Sequence, residues 1–166
     1  MGPAFAAVGA GVAALFEATV ASRFHFAGAQ LQIVLVFAIV LTVVVSIETG
    51  MAWAFVGGLF ADLLVVRPLG STVFALLIAV GGTALLIRYL SLGRVMNSVT
   101  CLFTMTLVYL IAVDVVTGVL SPPAYPLHLT SLFFATLVNT VFGALVAGLV
   151  IAARRRFVER RQRLVW

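Results

Sequence analysis

Short polar interruptions divide this chain into six apolar stretches, over residues 3–20, 31–47, 50–66, 71–88, 95–118 and 129–153. A run of about 20 apolar residues is the length that crosses a hydrocarbon layer as an α-helix. Lipid offers no hydrogen-bond partner to open backbone, and the stretches lack the apolar and polar alternation of barrel strands, so each is expected to be a helix. The expected fold is all-α: a polytopic membrane domain of six transmembrane helices over 1–153, followed by a basic cytoplasmic tail over 154–166. With 64% of its 166 residues hydrophobic and 9% charged, the chain has too little left over for a soluble domain of ordinary size. The first stretch contains Glu17 and has no basic start, so it is expected to be retained rather than cleaved as a secretory signal.

The ten cationic side chains are all arginine, and six of them, Arg154, Arg155, Arg156, Arg160, Arg161 and Arg163, follow directly on the last apolar stretch. Basicity placed there is expected to contact anionic lipid or the cytoplasm, not nucleic acid. In a six-span arrangement Arg88 and Arg94 fall on the same side as this cluster, whereas Arg23 and Arg67 fall on the other. The positive-inside rule then places both termini in the cytoplasm and the loops around 21–30, 67–70 and 120–128 outside.

That orientation brings out a layer of acids. Glu17, Asp62 and Asp114 each lie about four residues before the outer end of spans one, three and five, roughly 6 Å below the outer boundary at 1.5 Å per residue. Two readings follow. The acids either anchor the spans by reaching water or Arg23 and Arg67, or converge on an outward-opening groove that receives a partner segment or a small ligand. No fixed pair of close carboxylates is apparent, so acid–base catalysis is not indicated.

Small residues make a second pattern. Gly50, Ala54, Gly57 or Gly58 and Ala61 recur at helical spacing in span three, a flat stripe for close helix contact, expected within the monomer with a homodimer seam as the alternative. Asp62 follows Gly58 by one turn and is expected to point from the same face, towards a neighbouring helix. Gly143, Ala147 and Ile151 form a weaker stripe in span six, and Gly81 and Gly82 mark close packing or flexing in span four. Trp53 and Tyr89 are expected in the headgroup belt, and Asn97 and Asn139 to hydrogen-bond across helices. His25 and His128 lack a third ligand at suitable spacing, and the single Cys101 excludes an internal disulfide. No cofactor, metal or catalytic residue is indicated, and no charge ladder or ring supports a channel or pump.

The run Gly58-Leu59-Phe60-Ala61-Asp62-Leu63, the turn Pro68-Leu69-Gly70 and the small-residue helix after it resemble the MreD family of bacterial rod shape-determining proteins. The start is similar too, with Glu17-Ala18-Thr19 closing the first span and Phe24, Phe26 and Gly28 in the loop. A Pro-Asp pair common before span two in that family is Ala29-Gln30 here. Similarity of span number and order covers nearly the whole chain, and the specific motif matches cover about residues 57–70.

The resemblance implies a non-enzymatic subunit of the elongasome in the bacterial inner membrane, where side-wall peptidoglycan synthesis and cell shape are controlled. MreC is the expected direct partner, with RodA, a class B penicillin-binding protein and MreB reached through the complex. It also implies a six-helix fold similar to the substrate-binding S components of energy-coupling-factor vitamin transporters. That similarity supplies the alternative function: a vitamin held in the outer groove by Glu17, Asp62 and Asp114. On the scaffold reading, Gly57, Gly58, Asp62, Arg67, Pro68 and Gly70, with Glu17 and Asp114, are the partner-binding or architectural residues. Asp62 would then set the local architecture through Arg67 or a polar group of the partner.

Overall fold

The structure, a computed structural model, describes residues 3–19, 30–65, 68–90, 93–120 and 129–163. The elements in chain order are α1 (Pro3–Thr19), α2 (Ile33–Val44), α3 (Ile47–Leu64), α4 (Ser71–Tyr89), α5 (Arg94–Leu120) and α6 (Leu129–Arg163). Four of these helices, α3 to α6, are long and apolar enough to cross a membrane; α1 and α2 are shorter apolar helices.

The shortness of α2 organises the molecule. At 12 residues it is about 18 Å long, well below the ~30 Å of a hydrocarbon layer. Nine of those residues are buried, and α2 packs against all five other helices. It is therefore the axis of the bundle and is solvated by protein on every side. Its neighbours α1 and α3 pack together, as do α3 with α4, α4 with α5 and α5 with α6.

The buried set is rich in alanine, threonine and asparagine, with Ala10, Ala38, Ala54, Ala75, Ala79, Thr83, Thr136, Asn139 and Ala147 all fully buried. Bulky apolar residues face outward: Ile47, Met51, Phe55, Leu59 and Leu63 make an exposed ridge along α3, and Phe133, Leu137, Val141, Leu145 and Leu149 make another along α6. Repeats of four residues place each ridge on one helix face. Large apolar groups also fill the centre, with Leu35, Ile39, Leu76 and Leu102 fully buried, while the small residues beside them let backbones approach closely, as helix packing in lipid favours.

Glycines mark where they do so. A Cβ on Gly50 would run into Thr42 of α2, on Gly57 into Val34 of α2, and on Gly143 into Leu102 of α5. A Cβ on Gly58 would lie 2.8 Å from Val73 Cα, in the backbone of α4. The stripe in α3 thus serves two neighbours inside the monomer, with Gly50 and Gly57 against α2 and Gly58 against α4. Gly82 likewise abuts Met105 of α5, whereas Gly81 has open space.

Three observations differ from the sequence expectation. The break between α2 and α3 falls at Val45-Ser46, because Ser46 caps α3 by accepting from Thr49 N at 3.3 Å. The last helix runs ten residues beyond 153, since 154–163 contains no glycine or proline and arginine is a good helix former. Trp53 does not sit in the headgroup belt. It is buried, stacked on Phe37 at 5.4 Å, and donates through Nε1 to Val34 O at 3.1 Å. Tyr89 is 85% exposed at the end of α4.

The turn into α4 depends on one backbone conformation. Gly70 has φ 93° and ψ −13°, in the left-handed region that a side chain disfavours. Nothing lies within 4 Å of where its Cβ would be, so the cost of a substitution is conformational. Gly70→Ala is expected to lower the stability of the purified protein by about 1–2 kcal/mol, read as a shift of its unfolding midpoint.

Candidate functional site

Asp62 is 3% exposed, near the end of α3 and on the α4 side like Gly58. A carboxylate there needs donors, and α4 provides them. Gly70 N donates to Oδ2 at 2.8 Å and Thr72 N to Oδ1 at 3.0 Å, with Ser71 Oγ 3.4 Å from Oδ1. Gly70 is the N-cap of α4 and has no side chain with which to satisfy the first amides of its own helix. Asp62 performs that capping from the preceding helix, ten residues back from Thr72. Its negative charge also meets the positive end of the α4 dipole. The motif that carries the resemblance is therefore a closed hydrogen-bonded unit, with acid, turn and helix start joined in one piece.

The same arrangement recurs at the start of α2. Its N-cap, Gln32, makes no side-chain capping bond. Glu17, near the end of α1, instead accepts from Val34 N through Oε2 at 2.8 Å. Val34 and Thr72 are both the second residue of their helix, so each acid reaches the equivalent amide of the next helix. A third acceptor comes from α6, where the fully buried Asn139 accepts from Gln32 N through Oδ1 at 2.8 Å.

At the other end of α2, Arg154 Nη1 donates to Val44 O, the carbonyl of its last residue. A cation is favourable at a helix C-terminus. Asn139 and Arg154 are both on α6, separated by about 22 Å along its axis, and bracket the ~18 Å central helix at both ends. Neither interaction is apparent from sequence. The sequence places Asn139 in a bond across helices without a particular partner, and Arg154 only in contact with lipid or the cytoplasm.

The structure thus treats the acids unequally. Glu17 and Asp62 are engaged by backbone amides of α2 and α4. Asp114 is half-buried on α5, and its backbone carbonyl accepts from Thr117 Oγ1 at 3.1 Å. Gly57 and Gly58 lie at the α2 and α4 contacts, and Pro68 accepts from Ser71 N at 3.2 Å through its carbonyl. Arg67, the loops at 20–29 and 121–128 with His25 and His128, and the side chains of Arg155, Arg156, Arg160, Arg161 and Arg163 lie outside the described residues.

Compared with protein-family models, curated proteins and solved structures, the chain matches none. Its class rests on its own features. The composition, the four long apolar helices and the outward apolar ridges mark it as a helical membrane protein.

Proposed function

We propose that this chain is a non-enzymatic scaffold subunit of the MreD type, crossing the bacterial inner membrane six times with both termini in the cytoplasm. It cradles the transmembrane and juxtamembrane part of MreC and through it serves RodA, a class B penicillin-binding protein and MreB in side-wall synthesis. The short helices α1 and α2 complete the six crossings, with α2 reaching the surfaces through its flanking residues. The basic extension of α6 lies against anionic lipid at the cytoplasmic face.

One observation supports this reading above the rest: the residues shared with the MreD pattern, Gly58, Asp62, Pro68 and Gly70, are spent on the chain's own architecture. A scaffold needs a fixed shape at this place rather than a reactive group. The vitamin-binding alternative calls on Glu17 and Asp62 as ligand contacts, and both already accept from helix amides.

The proposal is tested by complementation. In rod-shaped cells that depend on this gene, the wild-type chain and Glu159→Gln are expected to maintain rods, and Asp62→Leu to give rounded cells at equal membrane abundance. Rods maintained by Asp62→Leu with normal MreC recovery would remove the proposed role of the motif.

A further inference from the structure

We propose that a single water molecule is bound inside the bundle where α2, α5 and α6 meet, held by Gln32 Oε1, Asn139 Nδ2 and Thr106 Oγ1. All three atoms are buried and have no hydrogen-bond partner among the described residues. Thr106 and Asn139 are themselves fully buried. Leaving three such groups unpaired in a buried site costs more than fixing one water among them.

Thr106 differs from four other buried helix threonines. The hydroxyls of Thr42, Thr83, Thr136 and Thr140 each donate to the carbonyl four residues earlier, at 2.7–2.8 Å. That bond is the ordinary way for a threonine to be buried in a helix. Thr106 Oγ1 makes no such bond and has no partner among the described residues.

Placement brings the three groups together. The 2.8 Å bond from Gln32 N to Asn139 Oδ1 puts those two residues side by side. The antiparallel helices α5 and α6 are in register through Leu102, which fills the space left by Gly143. One turn further along α5 and one turn back along α6, Thr106 comes opposite Asn139. Both helices also pack on α2. Asn97 Oδ1, also without a partner, is nine residues from Thr106 on α5, about 13 Å away, and belongs elsewhere.

The chemistry of the set selects water. Asn139 Oδ1 is committed to Gln32 N, which fixes the amide so that Nδ2 is a donor. Gln32 Oε1 is an acceptor, and the Thr106 hydroxyl can be either. A water accepts from Asn139, donates to Gln32 and completes its third bond with Thr106, the usual number for a buried water. An ion would find either the donor or the acceptor unfavourable.

The test is a high-resolution structure of the full chain in a lipid nanodisc, together with unfolding midpoints. A spherical density within about 3.2 Å of all three atoms is expected, and Thr106→Val should abolish it while the Gln32 N to Asn139 bond persists. The loss in Tm for Gln32→Leu combined with Thr106→Val should be smaller than the sum of the single losses, because both remove the same water. Thr42→Val with Gln32→Leu should be additive. Direct bonding among the three side chains, elongated density from an organic solute, or additive losses for the first pair would overturn the proposal.

Discussion

Asp62→Leu is expected to lower the stability of the purified chain by about 3 kcal/mol, because it leaves the amides of Gly70 and Thr72 without their acceptor in a buried site. For a chain of this length that corresponds to a fall of roughly 6–12 °C in Tm. Leucine is close in size and more at home in lipid, so a loss would not follow from hydropathy; it follows only if the carboxylate is in use. Asp62→Asn should fall between the two, keeping one acceptor oxygen and turning an NH2 group towards the remaining donors. Thermal unfolding of the three proteins in one detergent measures this directly. Equal stability of Asp62→Leu and wild type would mean that the carboxylate is not what holds the start of α4.

The second large effect is expected at Gly58. A valine there places Cβ 2.8 Å from Val73 Cα and 3.0 Å from Val73 N, and backbone cannot rotate away as a side chain can. The two helices must separate, which opens the contact that also positions Asp62 under α4. Overpacking of this kind costs about 1–3 kcal/mol, and the loss of the Asp62 cap adds to it. Gly148→Ala is the matched control: its Cβ meets nothing within 4 Å, and alanine is the better helix former by up to about 1 kcal/mol. The same unfolding measurement should show Gly58→Val strongly destabilised and Gly148→Ala unchanged or slightly more stable.

Both effects arise from one way of placing charge in a lipid-facing fold. An acid near the end of one helix accepts from the second amide of the next, so that a charge and an uncapped helix start satisfy each other. Glu17 does this for α2 and Asp62 for α4. The central helix is then closed at its other end by Arg154, so that its termini depend on α1 and α6 rather than on its own side chains.

Much of the helix layout is legible in the sequence, because Arg88, Arg94, Pro68 and the polar loops punctuate apolar runs of membrane-spanning length. The break between α2 and α3 is legible as well, but not its exact place, since Ser46, Glu48 and Thr49 are all polar and the Ser46-to-Thr49 cap decides that α3 starts at Ile47. That Glu17 and Asp62 lie near the ends of their helices follows from counting residues, but their partners do not. Which amide an acid meets is decided by how helices pack, and a single sequence carries little of that. One local signal was available for Asp62: a glycine N-cap at position 70 leaves the first amides of α4 in need of an outside acceptor. Trp53 was misplaced for a related reason. An aromatic near a helix end suits either a headgroup or a core, and only the carbonyl of Val34 and the ring of Phe37 decide between them.

The most direct test of the scaffold reading is co-purification of the full chain from detergent, with and without co-expressed MreC, followed by native mass spectrometry of what remains bound. The account predicts a stable complex with MreC and no stoichiometric small molecule. A retained vitamin-like ligand without MreC would contradict it and mark the chain as a transporter's substrate-binding subunit.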